Sequence, residues 1–125
     1  MKKTKVSLGT GSTEGFFGRV RERARKLDRG ETLPPEIAIT FEDPLDLLNV
    51  LTAERVRLLR RAKAGSLPIS DLASTLRRDV RAVSRDVVLL EKAGLLRTRY
   101  QPNPGHGRIR IVEPVAREYR LTANL

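Results

Sequence analysis

The chain has 125 residues, 39% of them hydrophobic and only 4% aromatic, with no tryptophan and a formal net charge of +10. The absence of cysteine and a single histidine exclude disulfide frameworks, thiolate zinc sites and cysteine nucleophiles, and no paired-carboxylate or phosphate-loop motif suggests an enzyme. The charge implies a polyanionic partner, nucleic acid before any other, and no apolar run approaches the roughly 18 residues of a membrane span.

The excess charge is uneven. Residues 1–48 carry nine Lys/Arg against eight Asp/Glu, whereas residues 49–125 carry sixteen against seven. Residues 1–12 are polar, glycine-bearing and non-periodic, and are expected to form a disordered arm. Their basic start lacks an apolar run, so no secretory signal is expected and a cytoplasmic address is. Gly9, Gly11 and Gly15 do not have G-x-G-x-x-G spacing and follow no strong strand, which rejects a dinucleotide loop.

From about Thr13 to Leu27, Phe16, Val20, Ala24 and Leu27 recur at helical spacing, and Gly30 offers a stop. This helix has three readings: packing on the domain, contact with a dimer mate or partner, or contact with DNA. Its acids Glu14, Glu22 and Asp28 count against membrane binding. Leu33-Pro34-Pro35 reads as a rigid linker, and Ile37, Ile39 and Phe41 alternate as in a strand. Asp43-Pro44 pairs a capping oxygen with a proline suited to the first helical position, which predicts a short helix through Leu47 and Leu48. Thr52 caps a second helix with Val56, Leu59 and Ala62 on one side, ended by Gly65.

Residues 67–112 are the most specific part of the chain. Ser70 is a plausible cap for a short helix that turns Leu72, Ala73 and Leu76 inward. Arg77, Arg78 and Asp79 leave room only for a tight turn. The next helix runs from about Val80 to Ala93, with Val80, Val83, Val87 and Leu90 on one face and Gly94 closing it. Two short helices joined this way follow the helix-turn-helix plan, whose second helix enters the major groove. On the opposite face Arg81, Ala82, Ser84 and Arg85 are placed for base reading, since an arginine there can bond guanine O6 and N7 together. Ser70, Arg77, Arg78 and Lys92 are placed for phosphates, which position a protein without specifying sequence. Leu96–Tyr100 and Arg108–Val112 are strand-like runs around a Pro/Gly-rich connection, a hairpin in the position of a wing carrying Arg99, Arg108 and Arg110. Arg108 and Arg110 would also serve simply to keep an edge strand soluble. His106 lies alone in the loop, which argues against a metal site. From Val115 to Leu125 the residues alternate as a final strand, expected to pair with 37–41 within the chain or across a dimer.

The run Ile69-Ser-Asp-Leu-Ala through Leu76, then Val80-Arg-Ala-Val-Ser-Arg-Asp-Val through Leu90-Glu-Lys-Ala-Gly-Leu-Leu, resembles the core of MarR-like winged-helix regulators over about residues 52–112. Phe41-Glu-Asp-Pro-Leu-Asp-Leu-Leu followed by Leu51-Thr-Ala-Glu-Arg further resembles short prokaryotic winged-helix antitoxins. That resemblance implies autorepression and a cognate toxin partner. Arg77 departs from the pattern, which often has glycine there because the turn requires positive φ. Either the turn differs in this chain, or a phosphate contact offsets about 1 kcal/mol of strain.

The expected fold is mainly α (α+β): an arm over 1–12, a helix-strand extension over 13–43, a winged helix-turn-helix over 44–114 and a C-terminal strand over 115–125. The expected function is sequence-specific repression through double-stranded DNA by a homodimer, with no cofactor and no membrane partner. Two alternatives stand beside it, a toxin-neutralising module with secondary DNA binding and an RNA-binding winged helix.

Overall fold

The computed structural model describes residues 4–8 and 33–125; the helix expected near 13–27 and the glycines at 9–15 lie outside them. In chain order the elements are β1 (Thr4–Leu8), β2 (Glu36–Phe41), α1 (Pro44–Val50), α2 (Ala53–Lys63), β3 (Leu67–Pro68), α3 (Ile69–Leu76), α4 (Val80–Lys92), β4 (Leu96–Pro102), β5 (Arg108–Pro114) and β6 (Glu118–Ala123). Together they make a mixed α+β fold.

Two sheets flank the helices. β1, β2 and β6 form a parallel sheet in that order, and β3, β5 and β4 an antiparallel one. The C-terminal strand therefore pairs with β2 inside the chain, in the register Ile37 to Tyr119, Ile39 to Leu121 and Phe41 to Ala123. Residues 4–8, expected to belong to a disordered arm, instead form strand β1 along the other side of β2. Thr4, Val6 and Leu8 alternate over too short a run to stand out in the sequence, and β2 supplies the edge that makes the strand worth forming.

The alternation in β2 does what its spacing predicts. Ile37, Ile39 and Phe41 point into the core, whereas Thr40 on the other face bonds Thr122 at 3.2 Å and Glu36 lies 3.4 Å from Arg120. Leu58, Leu59 and Ala62 of α2, Leu72 and Ala73 of α3, and Val83, Val87 and Leu90 of α4 fill the same core with Leu95, Leu96 and Val112. Val115 and Ala116, expected in the last strand, are buried in the core just before it. Each fully buried aliphatic side chain here contributes about 1.5–3 kcal/mol, so Leu90→Ala alone would cost about 2–5 kcal/mol.

The helix starts at α1 and α2 follow their local signals. The Asp43 carboxylate accepts from the Leu45 N–H at 2.9 Å with Pro44 in the first turn, and Thr52 Oγ1 accepts from the Arg55 N–H at 3.3 Å. α3 corrects the expectation for Ser70. The helix begins at Ile69, its cap position is Pro68, and no side chain caps it. Leu67-Pro68 is held extended by pairing with Val112 and Ile111 of β5, so the helix opens one residue before Ser70 can act as a cap. No helix among the described residues is long and apolar enough to cross a membrane.

Candidate nucleic-acid interface

α4 is anchored by one face and open on the other. Val83, Val87 and Leu90 recur at three and four residues and are completely buried. At its end the Leu95 N–H reaches Leu90 O at 2.9 Å and the Gly94 N–H reaches Glu91 O at 3.0 Å, the two bonds of a Schellman motif. Gly94 has φ 84°, a left-handed conformation that glycine adopts at little cost. The helix therefore stops abruptly and returns Leu95 and Leu96 to the core. Arg81 and Arg85, one turn apart, are exposed on the face away from the buried stripe, and neither has an ion-pair partner among the described residues. Ser84 and Ala82 sit at the two flanks of that face, both half-buried. Val80 departs from expectation: it shares the direction of the buried stripe but is 43% exposed, because the core contacts of α4 begin only at Val83.

The turn before α4 answers the question posed by Arg77. Arg77 does adopt the left-handed conformation, φ 53° and ψ 47°, with the Arg78 N–H bonded to Ala73 O at 3.0 Å. An L-residue there carries about 1–2 kcal/mol of strain. The Arg77 side chain remains exposed beside the open face.

Arg78 differs from the expectation of a free phosphate contact. Its Nη1 lies 2.8 Å from Asp86 Oδ2, although not along a hydrogen-bonding direction, and its Nε lies 3.5 Å from Glu54. Asp86, buried on α4, also accepts from Arg55 Nε at 3.0 Å, and Arg55 Nη1 donates to the Asn49 carbonyl at 2.8 Å. Burial of the carboxylate is what recruits both arginines, since an unpaired charge there would be costly.

The β4–β5 hairpin projects beyond the core. Its tip is a turn over Asn103, Pro104, Gly105 and His106, closed by the His106 N–H to Asn103 O at 2.9 Å. Proline in the second place and Gly105 at φ 82° in the third are the signature of a type II turn. The arm beneath the tip carries Arg108 over the ring of Tyr100, 4.5 Å from its centroid, a diagonal pair across the two strands. Arg99 and Arg110, assigned to the wing, are held back by acids. Arg97 Nε lies 2.7 Å from Glu113, and Arg99 pairs with the other oxygen of the same carboxylate. Arg110 lies 3.9 Å from Glu91, whose second oxygen accepts from the Thr98 N–H and Oγ1, both at 2.8 Å.

The acids thus work inside the structure. Asp86 ties α4 to α2 and to the turn, Glu91 ties it to β4, and Glu113 secures the hairpin. Around α4 and the hairpin the cations left outward are Arg77, Arg81, Arg85, Lys92 and Arg108, with Ser70 exposed in the first turn of α3; Arg60 on α2 and Arg117 before β6 are exposed as well. Three exposed residues escaped the sequence reading: Val80 and Val88 on α4, and Tyr100 on the hairpin. Val80 was assigned to the buried stripe on spacing alone, and no pattern marked Tyr100. Among the described residues no group of three or more His, Asp or Glu side chains is placed to hold a metal ion.

No curated protein matches this chain. Among solved structures, a "Possible transcriptional regulator from Methanosarcina mazei Go1" is similar at 20% identity and a TM-score of 0.48. The similarity covers 54% of this chain and 61% of that one, so the match spans less than two thirds of the solved protein. The family model HVO_A0114 matches residues 50–112, from the end of α1 into β5, a span that holds α2, α3 and α4 and half of the chain: this protein belongs to the HVO_A0114 family.

Proposed function

We infer that the protein is a sequence-specific double-stranded DNA-binding regulator built on a winged helix-turn-helix. On this reading α3 and α4 are the two helices of the motif, α4 enters the major groove, and the β4–β5 hairpin is the wing. The observation that carries it is the isolation of Arg81 and Arg85. The two acids of α4, Asp86 and Glu91, are committed to internal pairs, and among the described residues neither guanidinium has an ion-pair partner, so both offer bidentate donors on a helix held firmly from behind. Val88, one turn beyond Arg85, adds exposed methyl groups suited to thymine. Ser70, Arg77, Lys92 and Arg108 serve phosphates, and Arg99 and Arg110 shape the wing.

Because one such motif reads only a few base pairs, the acting species is a homodimer on a two-fold operator. Repression of its own gene and pairing with a toxin rest on the resemblance to short antitoxins and on nothing else. The test is binding of the purified protein to its own upstream DNA beside a scrambled duplex, over a salt series. Preference for the upstream fragment, with affinity falling steeply as salt rises, is the expected result. Equal binding of both duplexes ends the sequence-specific reading, and preference for A-form or single-stranded RNA replaces it with an RNA-binding one.

A further inference from the structure

We propose that the outer edge of β6 is the homodimer surface, and that two chains join there as antiparallel strands across a two-fold axis centred on Leu121. The proposal deepens the reading of the protein as a DNA-binding dimer by naming where the two copies meet.

β6 lies at one end of its sheet, and no described strand pairs with its outer side. Its backbone phase is fixed by two bonds to the β2 side: the Glu118 N–H to Pro35 O at 3.1 Å and the Asn124 N–H to Phe41 O at 3.4 Å. In a parallel pair alternate residues bond to one side. The even-numbered residues therefore face β2, and the N–H and C=O groups of Tyr119, Leu121 and Ala123 project from the edge that no described strand covers. A row of unpaired backbone groups of this kind is a template for another strand.

The sequence of β6 fits itself. With Leu121 opposite the partner's Leu121, Tyr119 falls opposite the partner's Ala123, so that large meets small on the inner face. On the outer face Arg120 meets the partner's Thr122 and Glu118 the partner's Asn124, with no like charges directly opposed. All the free backbone groups of Tyr119, Leu121 and Ala123 find partners in this register. Shifting it by two residues, so that Arg120 centres the pair, sets two arginines against each other.

A groove of about 180 Å³ lies beside the same strand, lined by Leu51, Val56 and Leu59 with Tyr119 and Leu121 of β6, and bordered by Arg60 and Lys63 of α2. An added strand extends the sheet over α2 and brings its own apolar row above this groove. A six-residue strand pair alone is small for a stable dimer. α1, which packs against β6, enlarges the surface with Leu45 and Leu48, each 64% exposed. Large exposed leucines on the helix whose cap residue, Leu51, lines the groove mark an interaction surface rather than a solvated one.

The test uses the whole chain without DNA. Sedimentation of the wild type should give a dimer of the 14.0 kDa protomer. The chain has no cysteine, so Leu121→Cys introduces a single thiol on the axis, where Cα atoms about 5.5 Å apart permit a disulfide. Mild oxidation should link this variant nearly completely and leave Thr122→Cys, off the axis, largely unlinked. Ala123→Pro removes an N–H that β2 does not use, so the fold should persist by circular dichroism while the dimer dissociation constant rises at least about tenfold. A monomeric wild type, or a Leu121→Cys chain that dimerises without forming the disulfide, overturns the proposal, and the cysteine result decides should Ala123→Pro fail to fold. Specific operator binding by a wild type that does not use β6 would sink only the interface. A β6 dimer with no duplex preference would sink only the DNA-binding reading.

Discussion

The Arg78 guanidinium and the Asp86 carboxylate meet at 2.8 Å, joining the turn that precedes α4 to the buried side of α4 itself. Arg55 approaches the same carboxylate from α2 at 3.0 Å, so one acid on the candidate recognition helix is gripped by two elements. The group is only 12% exposed at Asp86 and 20% at each arginine. Removing the acid leaves the largely buried Arg55 without an acidic partner and Arg78 with only Glu54 at 3.5 Å, a more damaging outcome than losing an exposed pair. Asp86→Ala should therefore lower stability by about 2–4 kcal/mol, read as a fall in the urea midpoint at unchanged slope. Asp86 and Arg55 should be coupled by more than about 0.5 kcal/mol in a double-mutant cycle. A midpoint that barely moves would show that the clamp contributes nothing to holding α4.

The outward arginines should behave in the opposite way. Arg81→Ala and Arg85→Ala remove no internal contact among the described residues, so stability should stay within about 0.5 kcal/mol of wild type. Discrimination between the operator and a scrambled duplex should fall by about 1–3 kcal/mol for each. Arg108→Ala, on the hairpin, should instead weaken both duplexes alike and reduce the salt slope by about one. Arg78→Ala should register chiefly as lost stability. Titrations in parallel with urea unfolding separate these classes, and an Arg81→Ala protein that keeps full discrimination would remove α4 from the role of reader.

What the sequence made legible was local. Asp43-Pro44 and Thr52 announce their helices because the capping oxygens act within two or three residues of themselves. The buried stripe of α4 and the alternation of β2 follow from periods of 3.6 and 2. The destinations of the arginines were not legible. Arg78 looks like its neighbour Arg77 until the fold brings Asp86 and Glu54 to it, and Arg99 and Arg110 look free until the hairpin and α4 supply Glu113 and Glu91. Ion pairs between distant segments leave no periodic trace. Val80 was misplaced for a related reason, since spacing gives the direction of a helical face but not where along the helix the core begins.

Arg77 offers a test in which strain and function pull apart. Its left-handed backbone suits glycine better than arginine, and its side chain has no ion-pair partner among the described residues. Arg77→Gly should raise stability by about 1 kcal/mol in thermal unfolding. If the exposed guanidinium contacts a phosphate, the same change should lower affinity for both duplexes and reduce the salt slope by about one. A more stable variant with unaltered DNA binding would leave the arginine without a functional reason for its strain. A less stable one would mean that its side chain holds the turn together.

Tyr119 sets the alkaline limit of the parallel sheet. Burial pushes its phenol up to about 12 from 10.0, opposed in part by backbone N–H groups of Val115 and Ala116. The Val115 N–H donates to the phenol oxygen at 3.1 Å, tying the segment before β6 to the strand. In the unfolded chain the phenol loses its proton near pH 10, whereas the folded protein keeps it until about 12. The unfolded state therefore binds fewer protons in this window, and stability falls as pH rises through it. The full stabilisation is present below pH 10, and the loss by pH 12 should be about 2 kcal/mol from this residue. Tyr119→Phe should remove this component and flatten the urea-midpoint profile between pH 10 and 12, at the cost of the Val115 bond at every pH. The variant and the wild type falling in parallel across that window would show that another group carries the alkaline transition.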